Sequence, residues 1–182
     1  MKIYKIIPSK NYEFCHPIGK DGFLKLNKLI NGEKRLKNWV PFKMELINED
    51  MGEKLISADS PGCGSNILIL NQTIKDKMEE MFGEYGEILP IECGKTKNLF
   101  VFNVLKFFDN AVDVEKSSLV RYKNGDIMFF EKIEFFPEVI INTHIFKITN
   151  LRVSPIFFDE YFVNFWKSNK LTGIDFDKVW EI

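Results

Sequence analysis

Cys63 stands in Pro61-Gly-Cys-Gly-Ser65, a run of small residues that would leave a thiol open to a substrate. A catalytic thiol needs a general base within reach, and a nucleophile elbow also needs glycines two positions to either side. Pro61 and Ser65 occupy those positions, and the one histidine downstream is His144. The segment reads as a flexible loop with an incidental thiol. A small hydrolase built on Cys63 is the rival enzyme reading. Cys15-His16 is weaker, because adjacent side chains on extended backbone point to opposite faces. Zinc sites pair Cys and His ligands a few residues apart. Here Cys15, Cys63, Cys93, His16 and His144 are scattered, so neither a metal nor a cofactor is expected. The glycines around Cys63 also lack the lysine of a phosphate-binding loop.

Carboxylates offer two further groups. Asp109, Asp113 and Glu115 could form an acid–base set, but Asn110, Asp113 and Ser117 are residues that bond local backbone, and a turn is the better reading. No catalytic residue is assigned, and His144 reads as a hydrogen-bonded structural histidine. Glu79, Glu80, Glu84, Glu87 and Glu92 follow one another on and after a helical pattern. Such a run is ordinarily a solvated face, yet it would also steer a basic protein partner into contact.

The composition narrows the class. Of 182 residues, 45% are hydrophobic and 28% charged, a folded rather than disordered balance, with 18 phenylalanines that need a large core or a covered surface. The net charge of −1 excludes the concentrated basic stripe of a nucleic-acid binder, although residues 1–50 carry ten Lys/Arg against six Asp/Glu. An odd cysteine count without a secretory leader points to reduced thiols and a cytoplasmic location. No apolar run nears the ~20 residues of a membrane span.

The elements that would carry these residues alternate between strand and helix signals. Lys2–Ile7 reads as a strand, Ser9–Gly22 as loop, and Phe23–Ile30 as either a strand or a short helix. Trp39–Ile47 alternates, with Pro41 suiting an edge or the start of a strand. After the small-residue loop Ser57–Asn66 come four aliphatics, Ile67–Leu70, and a capping Asn71. Ile74, Met78, Met81 and Phe82 then mark one helix face, Gly83 or Gly86 stops it, and Ile88-Leu-Pro-Ile91 follows. The tail repeats the plan: Val153–Phe158 is apolar and Asp159 caps. Tyr161, Phe162, Phe165 and Trp166 form the helix face, Gly173 stops it, and Ile174-Asp-Phe176 exits. Asn98–Leu105, Gly125–Phe130 and Ile145–Ile148 read as strands. The expectation is an α+β fold over residues 1–182. It has a mixed, mostly antiparallel sheet, a few short helices and two related strand-helix-strand half-units.

Several of these pieces, in their order, resemble one family. They are the Asp59 loop, Leu68–Phe82, Ile88-Leu-Pro, Phe100-Val-Phe-Asn-Val and Val112-Asp-Val-Glu-Lys-Ser. Ile145-Phe-Lys-Ile and Leu171-Thr-Gly-Ile-Asp-Phe complete the set. The chain is similar to the bacterial polymorphic-toxin immunity proteins of numbered immunity family eleven, formerly a domain of unknown function. The likeness begins near Trp39, is strongest after Leu99, and is placed on 51–182. Residues 1–50 form a basic, β-rich portion without it. Asp59 is followed by Ser-Pro-Gly-Cys-Gly, a departure from the family's acidic-loop pattern.

The resemblance implies a small cytoplasmic protein encoded beside a secreted toxin, neutralising that cognate toxin by binding and steric occlusion. It also implies structural roles for Asp113, Ser117 and Gly173, and it favours Glu79, Glu80, Glu84 and Glu87 as toxin-binding carboxylates. Neither nucleic acid nor membrane is an expected partner. A general adaptor module without a toxin is the other rival.

Overall fold

The computed structural model describes residues 1–94 and 98–182. The N-terminal elements are β1 (Lys2–Pro8), β2 (Phe14–Pro17), α1 (Gly22–Leu29), β3 (Phe42–Ile47), β4 (Glu49–Asp50) and β5 (Glu53–Lys54). They are followed by β6 (Leu68–Asn71), α2 (Gln72–Phe82), β7 (Gly86–Glu92), β8 (Leu99–Val104) and β9 (Phe107–Phe108). The remainder comprises β10 (Ser118–Arg121), β11 (Ile127–Lys132), α3 (Pro137–Ile140), β12 (Ile145–Ile148), β13 (Phe157–Asp159), α4 (Glu160–Ser168) and β14 (Ile174–Glu181). One five-stranded sheet runs β14-β1-β13-β12-β9 and a second runs β2-β3-β7-β8-β6, with β4–β5 and β10–β11 as separate hairpins. Among the described strands only β3–β7 and β12–β9 pair in parallel. The fold is α+β and mostly antiparallel, as expected.

Both strand-helix-strand units are present, and each is split. In β6-α2-β7 the two strands flank β8, with Val101 opposite Ile69 on one side and Leu89 on the other. In β13-α4-β14 they flank β1, with Tyr4 opposite Phe158 and Lys178. The central strand is antiparallel to both of its neighbours in each case. In the first unit the chain runs on from β7 to β8. In the second, β14 ends beside the start of β1, where Met1 and Ile182 exchange backbone hydrogen bonds of 3.2 and 3.1 Å.

Local chemistry starts both helices in one way. The Asn71 side chain accepts from the Ile74 N–H at 3.0 Å, and Asp159 Oδ1 accepts from Phe162 N–H at 3.0 Å. Each cap satisfies a backbone donor that has no partner within its helix. The apolar faces then meet. Phe82 lies 5.0 Å from Phe162 and 5.1 Å from Phe165, ring centroid to centroid. Ile74, Met78, Phe82, Phe162 and Trp166 are all buried in a core shared with Leu68, Leu70, Phe102, Phe158 and Ile174. Ile67 and Ile69 point the other way, into a second core with Leu26, Ile30, Met44, Leu89 and the three cysteines. That explains the four consecutive aliphatics: β6 is covered on both faces. A third core gathers Ile3, Phe135, Phe146, Phe157 and Trp180.

Some expectations needed correction. Ser9–Gly22 is not all loop, since Phe14–Pro17 forms β2 against β3. The ambiguous Phe23–Ile30 is helical. Pro41 stands at the entry to β3, one of the two positions expected for it. Pro90 lies inside β7, where a missing N–H would ordinarily cost a ladder bond. Pairing with β3 begins only at Ile91, and the Trp39 indole N–H reaches the Pro90 carbonyl at 2.7 Å, so no donor is needed there. Met81 and Tyr161, placed on the apolar helix faces by periodicity, are exposed, and Phe165 is only partly buried.

One charge lies inside. Lys147 on β12 is 4% exposed, and its ammonium donates to the Asn66 carbonyl at 2.8 Å without an ion pair among the described residues. Burial pushes its pKa down to about 8, because a desolvated cation is disfavoured against its neutral form.

Two measurements follow. Phe82→Ala should cost ~3–5 kcal/mol in a denaturant titration, and Phe165→Ala clearly less, because only the first ring is wholly enclosed. Equal losses would mean that the seam does not centre on Phe82. For Lys147 the sign is set by proton counts. Below pH 8 both folded and unfolded chains hold the proton, so the folded state carries the full burial cost. Between about 8 and the ordinary 10.5 only the unfolded chain holds it, so folding gains stability as pH rises. Lys147→Met should therefore exceed the wild type by up to about 3 kcal/mol at pH 7, with the gap narrowing by pH 10. A gap that does not change with pH would contradict a desolvated lysine.

Candidate interaction surface

The thiols come together, although their sequence spacing gave no sign of it. Cys15 on β2, Cys63 in the small-residue loop and Cys93 after β7 form no disulfide and are buried in the second core. A hydrogen bond with the Cys93 thiol, together with burial, holds Cys15 above the usual thiol range. Burial, with a smaller contribution from Cys93, pushes Cys63 up to about 12. A reactive cysteine needs the opposite, an exposed thiol with its pKa depressed. The structure therefore removes the features that made Cys63 tempting. No group of three or more His, Cys, Asp or Glu side chains among the described residues could hold a metal.

The other chemical candidates are structural. Asp113 Oδ1 accepts from Lys116 N–H at 3.1 Å, the Ser117 hydroxyl donates to the Asp113 carbonyl at 2.6 Å, and Glu134 N–H donates to that hydroxyl at 3.0 Å. This is the turn read from the sequence, now tied to the next strand segment. The Lys116 ammonium 3.0 Å away helps hold the half-buried Asp113 carboxyl below the usual carboxylate range. Asp109 is exposed and joins no such group. His16 is exposed and packs edge-on against Phe23 at 5.0 Å. Gly173 has φ +99°, and a Cβ there would fall on the Ser60 carbonyl oxygen. Beside it, Asp59 Oδ2 accepts from the Thr172 N–H and hydroxyl at 3.1 and 2.9 Å, while Oδ1 accepts from Asn71 Nδ2 at 3.1 Å. The Asp59 loop thus pins the start of α2 to the turn before β14.

The predicted carboxylates are not one strip. Glu79 and Glu80 lie on the exposed side of α2, and Glu84 follows in the turn after it. Lys75 bridges Glu79 at 2.9 Å and Asp76 at 3.5 Å, which partly neutralises the middle of the face. Glu80 and Glu84 make no ion pair among the described residues. Glu87 belongs to β7 and is half-buried. Its carboxylate accepts from Arg35 N–H at 2.6 Å and from Asn103 Nδ2 at 3.5 Å, so it holds the Glu33–Arg35 loop in place.

An aromatic cluster adjoins the end of α2. His144 Nδ1 lies 2.7 Å from Asp159 Oδ2, and its ring stacks on Tyr161 at 4.5 Å with 24° between planes. Phe82 and Tyr85 enclose the rest of the imidazole. The hydrogen-bonded structural histidine expected from the sequence is what is found, with the α4 cap as its partner. Tyr161, 48% exposed, meets the edge of Phe82 at 6.1 Å. Met81 and Ile141 are also exposed. Sequence reading missed this surface because a helical period assigns Tyr161 and Met81 to the apolar stripe. Both lie at the margin of that stripe, where the helix packing leaves them open. An exposed tyrosine held in place by stacking has the rigidity of an anchor that can dock a protein.

A cavity of about 470 Å³ between β11 and β14 is lined by Met128, Phe130, Leu151 and Phe157, with Lys5 and Asp177 paired at 3.3 Å. No cysteine or histidine lines it.

Over residues 92–181 the chain matches the model of an immunity protein family, Imm11, the family its sequence resembles. The match takes in Asp113, Ser117, His144, Tyr161 and Gly173. It begins after Glu79, Glu80, Glu84 and Glu87, and so covers less than the 51–182 expected. No curated protein matches the chain. No described helix is long and apolar enough to cross a membrane.

Thiol accessibility checks the reading of Cys63. In native buffer an aromatic disulfide reagent should leave all three thiols unmodified over minutes, and all three should react once the chain is unfolded. One fast-reacting thiol in the native state, absent from Cys63→Ala, would revive the hydrolase.

Proposed function

We propose that the chain is the immunity partner of a secreted toxin, which it neutralises by binding and covering the toxin's working surface. The match to an immunity family over residues 92–181 supports that reading. Occlusion requires no chemistry in the inhibitor. It requires a stiff surface burying about 1,200–2,000 Å² in total, with a few well-packed anchors. The exposed Tyr161, braced by His144 and Phe82, is the observation that supports a place for that contact on the molecule.

Location and partner follow from that role. The protein acts in the cytoplasm of the cell that makes the toxin, protecting it and its kin in interbacterial competition. Its partner is a basic toxin domain, engaged by Glu79, Glu80 and Glu84 and anchored by Tyr161. Glu87 contributes only by shaping the adjoining loop. Fast capture favours such a layout, because opposite charges raise the association rate while a buried aromatic anchor slows release.

The test is binding kinetics against the C-terminal domain of the secreted protein encoded beside this one. Reversing Glu79, Glu80 and Glu84 to lysine should slow association at least ~10-fold at low ionic strength, and much less at high salt. Tyr161→Ala should mainly speed dissociation. Unchanged association and dissociation in both variants, with folding intact, would move the interface elsewhere. No binding to that domain by the wild type would favour an adaptor module instead.

A further inference from the structure

Lys147 borders a second cavity, of about 230 Å³, formed by α1 and the turn after it, by Phe107 on β9, and by residues 148–154. Two of its lining residues are cations, Lys147 and Arg152, and none is acidic. Among the described residues only one of the three ammonium N–H donors finds an acceptor, the Asn66 carbonyl at 2.8 Å. The Asn66 amide in turn donates to Asn27 Oδ1 at 2.7 Å, which fixes that carbonyl against α1. The Phe107 ring lies 5.9 Å from the ammonium, and it is held in place by Gly32, where a Cβ would meet the ring at 2.8 Å. Arg152 is exposed and has no ion pair among the described residues.

These features form a built site. A cation shut away from water is expensive unless an opposite charge meets it. Lys147 has two donors left over among the described residues, and beside it a recess that Asn27, Asn31, Thr149 and Ser154 line together with apolar side chains. The volume is below the ~300–1,000 Å³ of pockets that take drug-sized molecules, so a small ion is the right scale.

We propose that this cavity binds a small oxyanion, a phosphate or carboxylate, held by the Lys147 ammonium with Arg152 at its mouth. The ion would accept the ammonium's two remaining hydrogen bonds and supply the missing negative charge. It would also join α1 and the second sheet to β12 of the first. This goes beyond toxin binding and does not depend on it, since no cavity residue belongs to the Tyr161 surface.

Isothermal titration of the full chain with sodium phosphate and with sodium acetate, at pH 7 and constant ionic strength set by sodium chloride, tests the site. Saturable one-to-one binding of at least one of them is expected, and whichever binds identifies the oxyanion. Lys147→Met should abolish it, and Arg152→Ala, an exposed change that leaves the core intact, should weaken it at least ~10-fold through loss of a charge-assisted contact. Thermal unfolding gives a second readout: the binding anion should raise the wild-type midpoint above the chloride control and leave Lys147→Met unmoved. Failure of both anions to bind, or equal binding by wild type and Lys147→Met, would overturn the proposal.

Discussion

The rest of the molecule depends on the contact of α2 with α4 across Phe82. Each helix covers one face of its own sheet, and neither could leave its inner face in water: Ile74, Met78 and Phe82 on one, Phe162 and Trp166 on the other, are all essentially fully buried. Joining the helices closes both sheets over one apolar interior. Aromatic rings suit that seam because they bury large areas and still pack edge to face at fixed distances. The seam and its surroundings take up Phe82, Phe102, Phe158 and Phe162 of the phenylalanine excess, while Phe14, Phe23 and Phe129 stay exposed.

A seam between helices leaves rotation to be fixed, and polar contacts at its ends do so. Asp59 joins Asn71 at the start of α2 to Thr172 before β14, and Gly173 allows that turn to pass under Ser60. At the other end Asp159 caps α4 with one oxygen and holds His144 with the other. Each carboxylate therefore ties a helix start to a segment distant in sequence. The unusual Ser-Pro-Gly-Cys-Gly run after Asp59 fits this role. Its small residues let the loop lie close between the two units, with Ser60 buried and bonded to the Ile69 carbonyl at 2.5 Å.

What the sequence disclosed and what it concealed divide along the range of the interaction. Caps at Asn71 and Asp159, the helical spacing of Ile74–Phe82 and the glycine stop at Gly173 are local rules, and they were legible. Phe14–Pro17 became a strand only because β3 offers it a partner, which no pattern within Ser9–Gly22 could state. The meeting of Cys15, Cys63 and Cys93 is likewise a product of topology, and so is the burial of Lys147 within an otherwise apolar β12. The helical period also overreached at Met81 and Tyr161, since it gives an angle around the axis but not where the neighbouring helix stops. The exposed patch around Tyr161 was thus hidden inside a largely correct assignment of the core.

Tyr161 is less committed to the fold than the residues around it on α4. Its neighbour Phe162 is committed to the seam, as are Phe158 and Trp166, so substitution there would cost stability first. Tyr161 touches that core only by its edge against Phe82 and its stack on His144, and half of it faces solvent. Glu80 on α2 and Glu84 in the turn after it are exposed and carry no ion pairs among the described residues. Such positions can vary with little effect on folding, yet they stand on a rigid base, which limits the ordering cost of association. Glu87, held by Arg35 and Asn103, has no such freedom. The boundary between adaptable and fixed positions therefore runs between Glu84 and Glu87, through the turn where α2 ends and β7 begins.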